Sequence, residues 1–276
     1  MKEPLFFKNF NYPRPKPLSK FKLAKRRLLQ LQQILFSKEF LDAESLHKGV
    51  KKHYSLENEL NFYEKYCEFG LHEDEKRALQ AATKNNSKTQ SLSILVIGCG
   101  SGREAFYLEK EFPMAAIDAI DNSPEMIQRA GLVAKQSKVN FISGDIFQLE
   151  ERYDLLWVTA ILESHIHGKE NRIHFFKQVQ ALSKAGASAV FTPQIRKIHW
   201  KSHHYWGSQL LRLRWFNKKM WQEGDVVMAN LGAHHVAGKL VYSHFYPSAK
   251  HFEDELYSAK LKVKSQLPCD SWICET

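Results

Sequence analysis

Three glycines alternate with small residues directly after an aliphatic run, in the stretch ILVIGCGSGRE from Ile94 to Glu104. An apolar run that stops abruptly at glycines is typical of a buried strand followed by a tight turn and a helix. Glycines at such a turn let the backbone approach a ligand with no side chain between them. The stretch therefore restricts the fold to those in which a strand–turn–helix unit presents its backbone to a ligand.

The spacing of Gly98, Gly100 and Gly102 is G-x-G-x-G, whereas a dinucleotide-binding turn has G-x-G-x-x-G. Arg103 occupies the place of the third dinucleotide glycine, and a large side chain there favours a ligand without a pyrophosphate. Asp121 ends the next apolar run, AAIDAID, about twenty residues after the turn, where a doubly wound fold has the carboxylate that holds a ribose. The pattern predicts a nucleoside-containing ligand.

From Ser93 onward, short apolar runs alternate with amphipathic segments, which predicts βαβ units and a parallel sheet covered on both faces. Such units cross over right-handed, so we expect a doubly wound α/β fold. The predicted strands lie in SILVIG, AAIDAID, VNFISGD, YDLLWVTA and SAVFTP.

Four motifs in this order resemble those of the class I S-adenosylmethionine-dependent methyltransferases, a Rossmann-like family. They are VIGCGSG (96–102), AIDNSPEMI (119–127), SGDIF (143–147) and YDLLWVTA (153–160). More loosely, residues 244–263 resemble the family's last helix before its closing β-hairpin. The resemblance implies a mostly parallel seven-stranded sheet, S-adenosyl-L-methionine as cofactor and S-adenosyl-L-homocysteine as product.

The resemblance also implies a cofactor site. The glycine turn would contact the methionine part, Asp121 the ribose, and Met126 the adenine ring. Asp145 is expected to accept a hydrogen bond from the adenine amino group, and the Ile146 N–H to bond a ring nitrogen. The full set of predicted cofactor-binding residues is Gly98, Cys99, Gly100, Ser101, Gly102, Asp121, Asn122, Met126, Asp145, Ile146 and Val158.

One position departs from the family pattern. The family usually has an acidic residue two before the first glycine, and this chain has Val96 there. We therefore expect the cofactor's amino group to rely on backbone carbonyls or water.

Methyl transfer from a sulfonium mainly requires positioning of the acceptor, and a base is needed only where the acceptor must lose a proton. The loop after the fourth strand contains Glu163, His165 and His167, of which the histidines are the preferred candidates for an acceptor-side base. The alternative is that this loop is only a wall of the pocket. The chain lacks the Asn/Asp-Pro-Pro-aromatic tetrad of amide methylases at this place, and its cysteines and histidines show no metal-ligand spacing.

The flanks of this core predict additions to it. Residues 1–18 are expected to be a flexible basic arm and 19–90 a helical extension, followed by the cofactor-binding domain at 91–276. Within the extension, helices are predicted from Ser19, from Ser55 as N-cap to Gly70, and over 72–82, with a polar linker at 83–91. Residues 194–240 are expected to form a helical lid insertion.

The net charge of +10 lies in the flanks rather than in the core. Between Gln194 and Met220 there are seven Lys and Arg and no acidic residue, interleaved with aromatics. This composition is compatible with nucleic-acid binding, with an anionic membrane surface, or with an amphipathic lid helix whose core-facing residues are Trp206, Leu210, Leu213 and Phe216.

The leading hypothesis is a methyltransferase acting on a small or medium-sized acceptor under a basic and aromatic lid. The alternatives are an RNA methyltransferase that uses the basic flanks, and a nucleic-acid or partner-binding protein with a degenerate cofactor site. Four cysteines without a CxxC spacing, and no long apolar segment, predict a reduced cytoplasmic protein without a membrane span.

Overall fold

The computed structural model describes residues 19–40, 42–84, 91–134, 136–196, 206–210, 220–228, 240–267 and 271–275. A seven-stranded sheet in the order β3-β2-β1-β4-β5-β9-β8 lies at its centre. The first five strands of the chain run parallel, and β9 pairs antiparallel with both β5 and β8. This confirms the predicted doubly wound, mostly parallel sheet. The strands are β1 Ser93–Ile97, β2 Ala116–Asp121, β3 Asn140–Ser143, β4 Tyr153–Val158, β5 Ser183–Phe191, β6 Asp225–Met228, β7 Val241–His244, β8 Lys262–Gln266 and β9 Trp272–Glu275.

Alternation in β1 divides the core between the two faces of the sheet, as expected for a strand buried on both sides. Leu95 and Ile97 pack with the aromatic residues of the later helices, while Ile94 and Val96 pack towards the helices at the start of the chain. Val96 is therefore a core residue on the face that the N-terminal helices cover. The helices are α1 Lys20–Phe36, α2 Ala43–Tyr54, α3 Glu57–Tyr66, α4 Glu73–Ala82, α5 Arg103–Glu111, α6 Pro124–Val133, α7 Lys169–Ala181 and α8 Ala249–Ser258.

The N-terminal region contains one helix that the sequence reasoning did not predict, α2. Its apolar residues are few, Leu46 and Val50 among lysines and histidines, so the helical period is weak. Asp42 caps it by accepting a hydrogen bond from the Ser45 N–H at 2.7 Å. The prediction that Ser55 begins the next helix is wrong, because Ser55 ends α2 and Leu56 precedes α3 without a side-chain cap.

Among the described side chains of α1, the apolar ones are only partly buried. Phe21 is 79% exposed and Leu28 57%, whereas Ile34, near the end of the helix, is buried. Ile34 packs in a third apolar cluster with Leu46 of α2 and with residues of a separate two-stranded sheet, β6–β7. The N-terminal helices therefore contact the segment that follows the parallel strands.

The segment 194–240, predicted as a helical lid, is described only in parts. Residues 206–210 are helical, and β6 pairs antiparallel with β7 just beyond the segment. Ser208 donates a hydrogen bond from Oγ to the carbonyl of Asp225 at 2.6 Å, which ties the two parts together. The helical prediction did not include this strand.

Candidate active site

The glycine turn leaves the carboxyl end of β1 in a backbone conformation that favours glycine. Gly98, Gly100 and Gly102 all have positive φ, at 74°, 52° and 97°. A Cβ added at Gly98 would lie 2.8 Å from Leu162 and 2.9 Å from Thr159, whereas one added at Gly100 would meet no atom of the described residues within 4 Å. The turn thus packs tightly at its base and opens into a cavity at Gly100.

Asp121 lies at the end of β2, beside this turn. Its Oδ2 accepts a hydrogen bond from the Gly100 N–H at 2.9 Å, and its Oδ1 accepts one from the Ser123 N–H at 2.8 Å. Burial raises the pKa of this carboxyl, and the backbone N–H groups oppose that shift. The predicted ribose carboxylate is therefore held rigidly against the turn, since both of its oxygens are anchored.

The next helix begins directly after Asp121. Ser123 is the N-cap of α6 and accepts a hydrogen bond from the Met126 N–H at 3.3 Å, which fixes Met126 one turn into the helix. The Met126 sulfur is also contacted by the Ser101 hydroxyl at 3.6 Å. Met126 is buried, so the surrounding residues fix the position of its thioether.

A cavity of about 190 Å³ joins the carboxyl ends of β1, β2 and β4 to the N-terminal helices. This is the edge where the strand order reverses between β1 and β4, the usual ligand position in an open parallel sheet. The opposite wall is built by α2 and α3 and is mainly aromatic. Predicted site residues lining the cavity are Gly98, Cys99, Gly100, Ser101, Asp121, Asn122, Met126 and His165; other lining residues are His47, Val50, Lys51, Tyr54, Phe62, Tyr63, Tyr66, Arg103, Glu104, Thr159, Ala160, Ile161, Leu162 and Ile166.

Four predicted cofactor residues lie outside this lining. Gly102 is the N-cap of α5 and packs against Phe106, and Val158 is buried in the core of the sheet. Asp145 is exposed and caps a short 3₁₀ turn by accepting a hydrogen bond from the Phe147 N–H at 3.2 Å, while Ile146 is buried beneath it. The adenine pocket at these two residues stays a prediction.

His165 lines the cavity with both ring nitrogens engaged. Its Nδ1 lies 2.8 Å from the Tyr242 carbonyl, which can only accept, so Nδ1 carries the hydrogen and Nε2 accepts from the Tyr54 hydroxyl at 2.9 Å. Burial lowers the pKa of this imidazole to about 4. The ring is therefore neutral near pH 7 and holds Tyr54 at the cavity wall.

The other two catalytic candidates turn away from the cavity. The His167 Nε2 lies 2.8 Å from the Met220 carbonyl, and its ring packs edge-on against Tyr242. Glu163 is fully buried, and its Oε2 has no hydrogen-bond partner among the described residues. Burial raises the pKa of Glu163 to about 7. The loop brings His165 alone of the three to the cavity.

Three charged cavity residues were not among the predicted ligands: Lys51 of α2, and two that stand in the stretch from Ile94 to Glu104. Arg103 and Glu104 are the first residues of α5, and both are buried. The Arg103 guanidinium bonds Glu75 of α4 through both nitrogens, at 2.8 and 2.6 Å, and lies 4.5 Å from the centre of the Tyr66 ring. The missed signal was a charged pair directly after the third glycine.

The loop between β4 and the 3₁₀ turn Leu162–His165 contains a strained residue. Ile161 lines the cavity with a φ of +64°, a conformation that is rare for a β-branched residue. Its N–H bonds the Thr192 carbonyl at 3.1 Å, which holds the strained backbone in place. Strain of this kind is concentrated at functional sites.

The described residues fit S-adenosylmethionine on three observations: the open space beside Gly100, the anchored carboxylate of Asp121, and the buried Met126. Among the described parts of 194–240, no residue lines the cavity, and six of the seven basic residues between Gln194 and Met220 lie outside the described ranges. Within the described chain there is no group of His, Cys, Asp and Glu able to hold a metal ion, and no helix long and apolar enough to cross a membrane.

Comparisons with known proteins agree with this geometry. Residues 94–186 match the family described as methyltransferase domain. A malonyl-[acyl-carrier protein] O-methyltransferase of Priestia megaterium is 41% identical over 80 residues, 28% of this chain and 29% of that protein. A trans-aconitate 2-methyltransferase of Enterobacter sp. (strain 638) is 35% identical over 72 residues, 25% of this chain and 28% of that protein. The match thus spans less than a third of the length of these two relatives.

Among solved structures, a methyltransferase from Methanosarcina mazei, described as S-adenosylmethionine-dependent, superposes with a TM-score of 0.53 at 16% identity. The superposition covers 75% of this chain and 98% of that chain. At this identity the likeness shows the fold.

Proposed function

We propose that this chain, which belongs to the class I S-adenosylmethionine-dependent methyltransferases, methylates a small acceptor enclosed between the glycine turn and the aromatic wall of α2 and α3. The observation that carries the proposal is the continuity of the cavity from Gly100 and Asp121 to Tyr54 and His165. When bound, S-adenosylmethionine supplies an electrophilic methyl group for an in-line displacement. The chain's residues then need to align the acceptor and exclude water.

The acceptor wall favours a nucleophile that has no proton to lose. His165 is a poor general base because its pKa is lowered to about 4 and both nitrogens are bonded. Glu163 has a pKa of about 7 but does not line the cavity. A carboxylate oxygen is a nucleophile without any base.

Charge at the cavity supports the same acceptor class. Lys51 of α2 lines the cavity while its side chain is largely exposed, so its ammonium group can attract an anionic acceptor to the opening. The named substrates of the two relatives, malonyl-[acyl-carrier protein] and trans-aconitate, are both carboxylic acids. We therefore propose O-methylation of a carboxylate on a small or carrier-bound acid.

The test is transfer of tritiated methyl from S-adenosylmethionine to a panel of dicarboxylic acids, acyl thioesters with a free carboxylate, phenols and amines. Methyl esters release methanol in mild base, whereas methyl ethers and methylamines do not, so the class of product is read directly. We expect base-labile label on at least one acid. As a control, His47→Ala should retain turnover, since that exposed histidine is the second imidazole, besides His165, among the described residues that line the cavity.

Base-stable label on a phenol or amine, or loss of turnover in His47→Ala, would contradict the carboxylate assignment. Base-stable label in added RNA would favour the RNA methyltransferase alternative instead.

A further inference from the structure

A buried charge imbalance lies beside the glycine turn. The Arg103 guanidinium contacts two carboxylates, with its Nη2 at 2.6 Å from Glu75 Oε1 and 2.5 Å from Glu104 Oε1. All three side chains are buried, and the other Arg103 contacts among the described residues are neutral, namely the Gly70 carbonyl at 2.8 Å from Nη1 and the Tyr66 ring. One cation therefore faces two anions. Both terminal nitrogens of Arg103 already have hydrogen-bond partners, Nη1 in Glu75 and the Gly70 carbonyl and Nη2 in Glu75 and Glu104. Buried charges in such a site are costly unless each has a partner.

The two carboxylates differ in what they face. Glu75 is bonded by both Arg103 nitrogens and also accepts a hydrogen bond from the His72 N–H at 2.8 Å, which completes the capping box of α4. Glu104, only 6% exposed, receives the second contact of Nη2 and lines the cavity together with Gly98 and Cys99. The excess negative charge therefore lies at the cavity surface, next to the turn. Burial raises the pKa of Glu104, and Arg103 opposes that shift, so the carboxyl lacks full compensation.

We propose that Glu104 binds the α-ammonium group of the methionine moiety of S-adenosylmethionine. This inference rests on the proposed function, because it assigns one end of that cofactor. An ammonium group carries three N–H donors, whereas a sulfonium carries none, so a carboxylate that accepts hydrogen bonds matches the ammonium better. Glu104 then supplies the charge that Val96 lacks, in place of the backbone carbonyls or water that the sequence alone suggests.

A purely structural role for Glu104 makes a different prediction. An acidic residue in the first turn of α5 is stabilised by the helix dipole and by Arg103 without any ligand. In that case its replacement would loosen the turn and weaken every ligand of the cavity alike.

The experiment measures the binding of three ligands to Glu104→Gln by calorimetry. S-adenosylmethionine and S-adenosylhomocysteine both have the α-ammonium group, and 5′-methylthioadenosine lacks the whole amino-acid part. We expect the first two to bind about 10-fold or more weaker than to the unmodified chain, the scale of a hydrogen bond between charged groups, while the third is unchanged. Glu75→Gln is the matched control, because it removes a carboxylate from the same arginine outside the cavity lining, and it should leave the ratio of the three affinities unchanged.

Equal weakening of all three ligands in Glu104→Gln, or unchanged binding of S-adenosylhomocysteine, would overturn the assignment. Selective weakening of S-adenosylmethionine alone would move the contact to the sulfonium and also overturn it. If the unmodified chain, folded by its melting transition, binds none of the three ligands, the proposed function itself fails. Glu104→Asp, which keeps the charge but shortens the side chain, should recover part of the loss if the contact is ionic.

Discussion

The two sides of the cavity are built in different ways. On the side proposed for the cofactor, the loops after β1 and β2 present backbone, glycine and one anchored carboxylate, Asp121. On the side proposed for the acceptor, α2 and α3 present side chains, among them Tyr54, Tyr63 and Tyr66, supported by His165. A wall of backbone tolerates few sequences, whereas a wall of side chains on helices tolerates many. The comparison therefore predicts that cofactor binding and acceptor binding can be damaged separately.

The largest effect is expected at the backbone wall. Gly100→Val should abolish S-adenosylmethionine binding, because the added side chain enters the open space beside the turn and the left-handed conformation costs about 1–2 kcal/mol more. Gly186→Val is the matched control, with a φ of +76° and open surroundings in β5, remote from the cavity. That variant should melt earlier yet bind the cofactor normally. Calorimetry and thermal melting check both, and cofactor binding by Gly100→Val would disprove this placement of the ligand.

A smaller effect on the same side is expected from Asp121. Asp121→Ala removes the acceptor of two backbone hydrogen bonds and the predicted ribose contact, and should weaken cofactor binding by about 1.5–3 kcal/mol. The same variant should have little effect on the KM of the acceptor once the cofactor is saturating. If calorimetry shows that Asp121→Ala binds the cofactor as tightly as the unmodified protein, Asp121 does not bind the ribose.

Substitutions in the wall formed by α2 and α3 should have the opposite effect: they should impair the reaction with the acceptor and leave cofactor binding unchanged. Tyr54→Phe deletes one hydroxyl and its bond to His165, and we expect kcat/KM for the acceptor to fall about 3- to 10-fold, the scale of one neutral hydrogen bond. The dissociation constant of the cofactor should not change. Tyr153→Phe is the control, because its hydroxyl bonds Asp118 at the amino ends of the strands, away from the cavity. A parallel loss of cofactor affinity in Tyr54→Phe would mean that the two sides are not separable.

The same contrast explains what the sequence could predict. The glycine turn, Asp121 and the parallel strands follow from local patterns, because strand period and turn chemistry depend on consecutive residues, whereas Met126 and the number of strands came from the family resemblance. The wall of α2 and α3 could not be found in that way, because α2 has little apolar period and its contact with the cavity depends on tertiary packing. Arg103 was interpreted only as a large side chain that favours a ligand without a pyrophosphate, because its partner Glu75 lies on a helix far earlier in the chain.

The smallest effect is expected in the pH dependence of the stability of the unmodified protein. Two residues of the loop after β4 titrate over the same pH range, and their contributions to stability have opposite signs. His165, with a pKa of about 4 against 6.5 unfolded, binds a proton only in the unfolded chain across that interval, so its contribution to stability rises with pH. Glu163, with a pKa of about 7 against 4.5 unfolded, binds a proton only in the folded chain, so its contribution falls as pH rises. Between about pH 5 and 6.5 the two slopes cancel, each being worth about 1.4 kcal/mol per pH unit.

Replacing either residue should reveal the pH dependence of stability that the other residue contributes. Relative to the unmodified protein, Glu163→Gln should gain stability with rising pH between about pH 5 and 6.5, and His165→Gln should lose it, by about 2 kcal/mol in each direction over that interval. Urea unfolding at several pH values measures both slopes. Because Glu163 lies outside the cavity lining, Glu163→Gln should also leave the acceptor KM unchanged, whereas His165→Gln releases Tyr54 and should raise it. If the free energy of unfolding depends on pH in the same way in both variants and in the unmodified protein, neither group has the pKa that its burial implies. The reason for rejecting His165 as the base would then no longer hold.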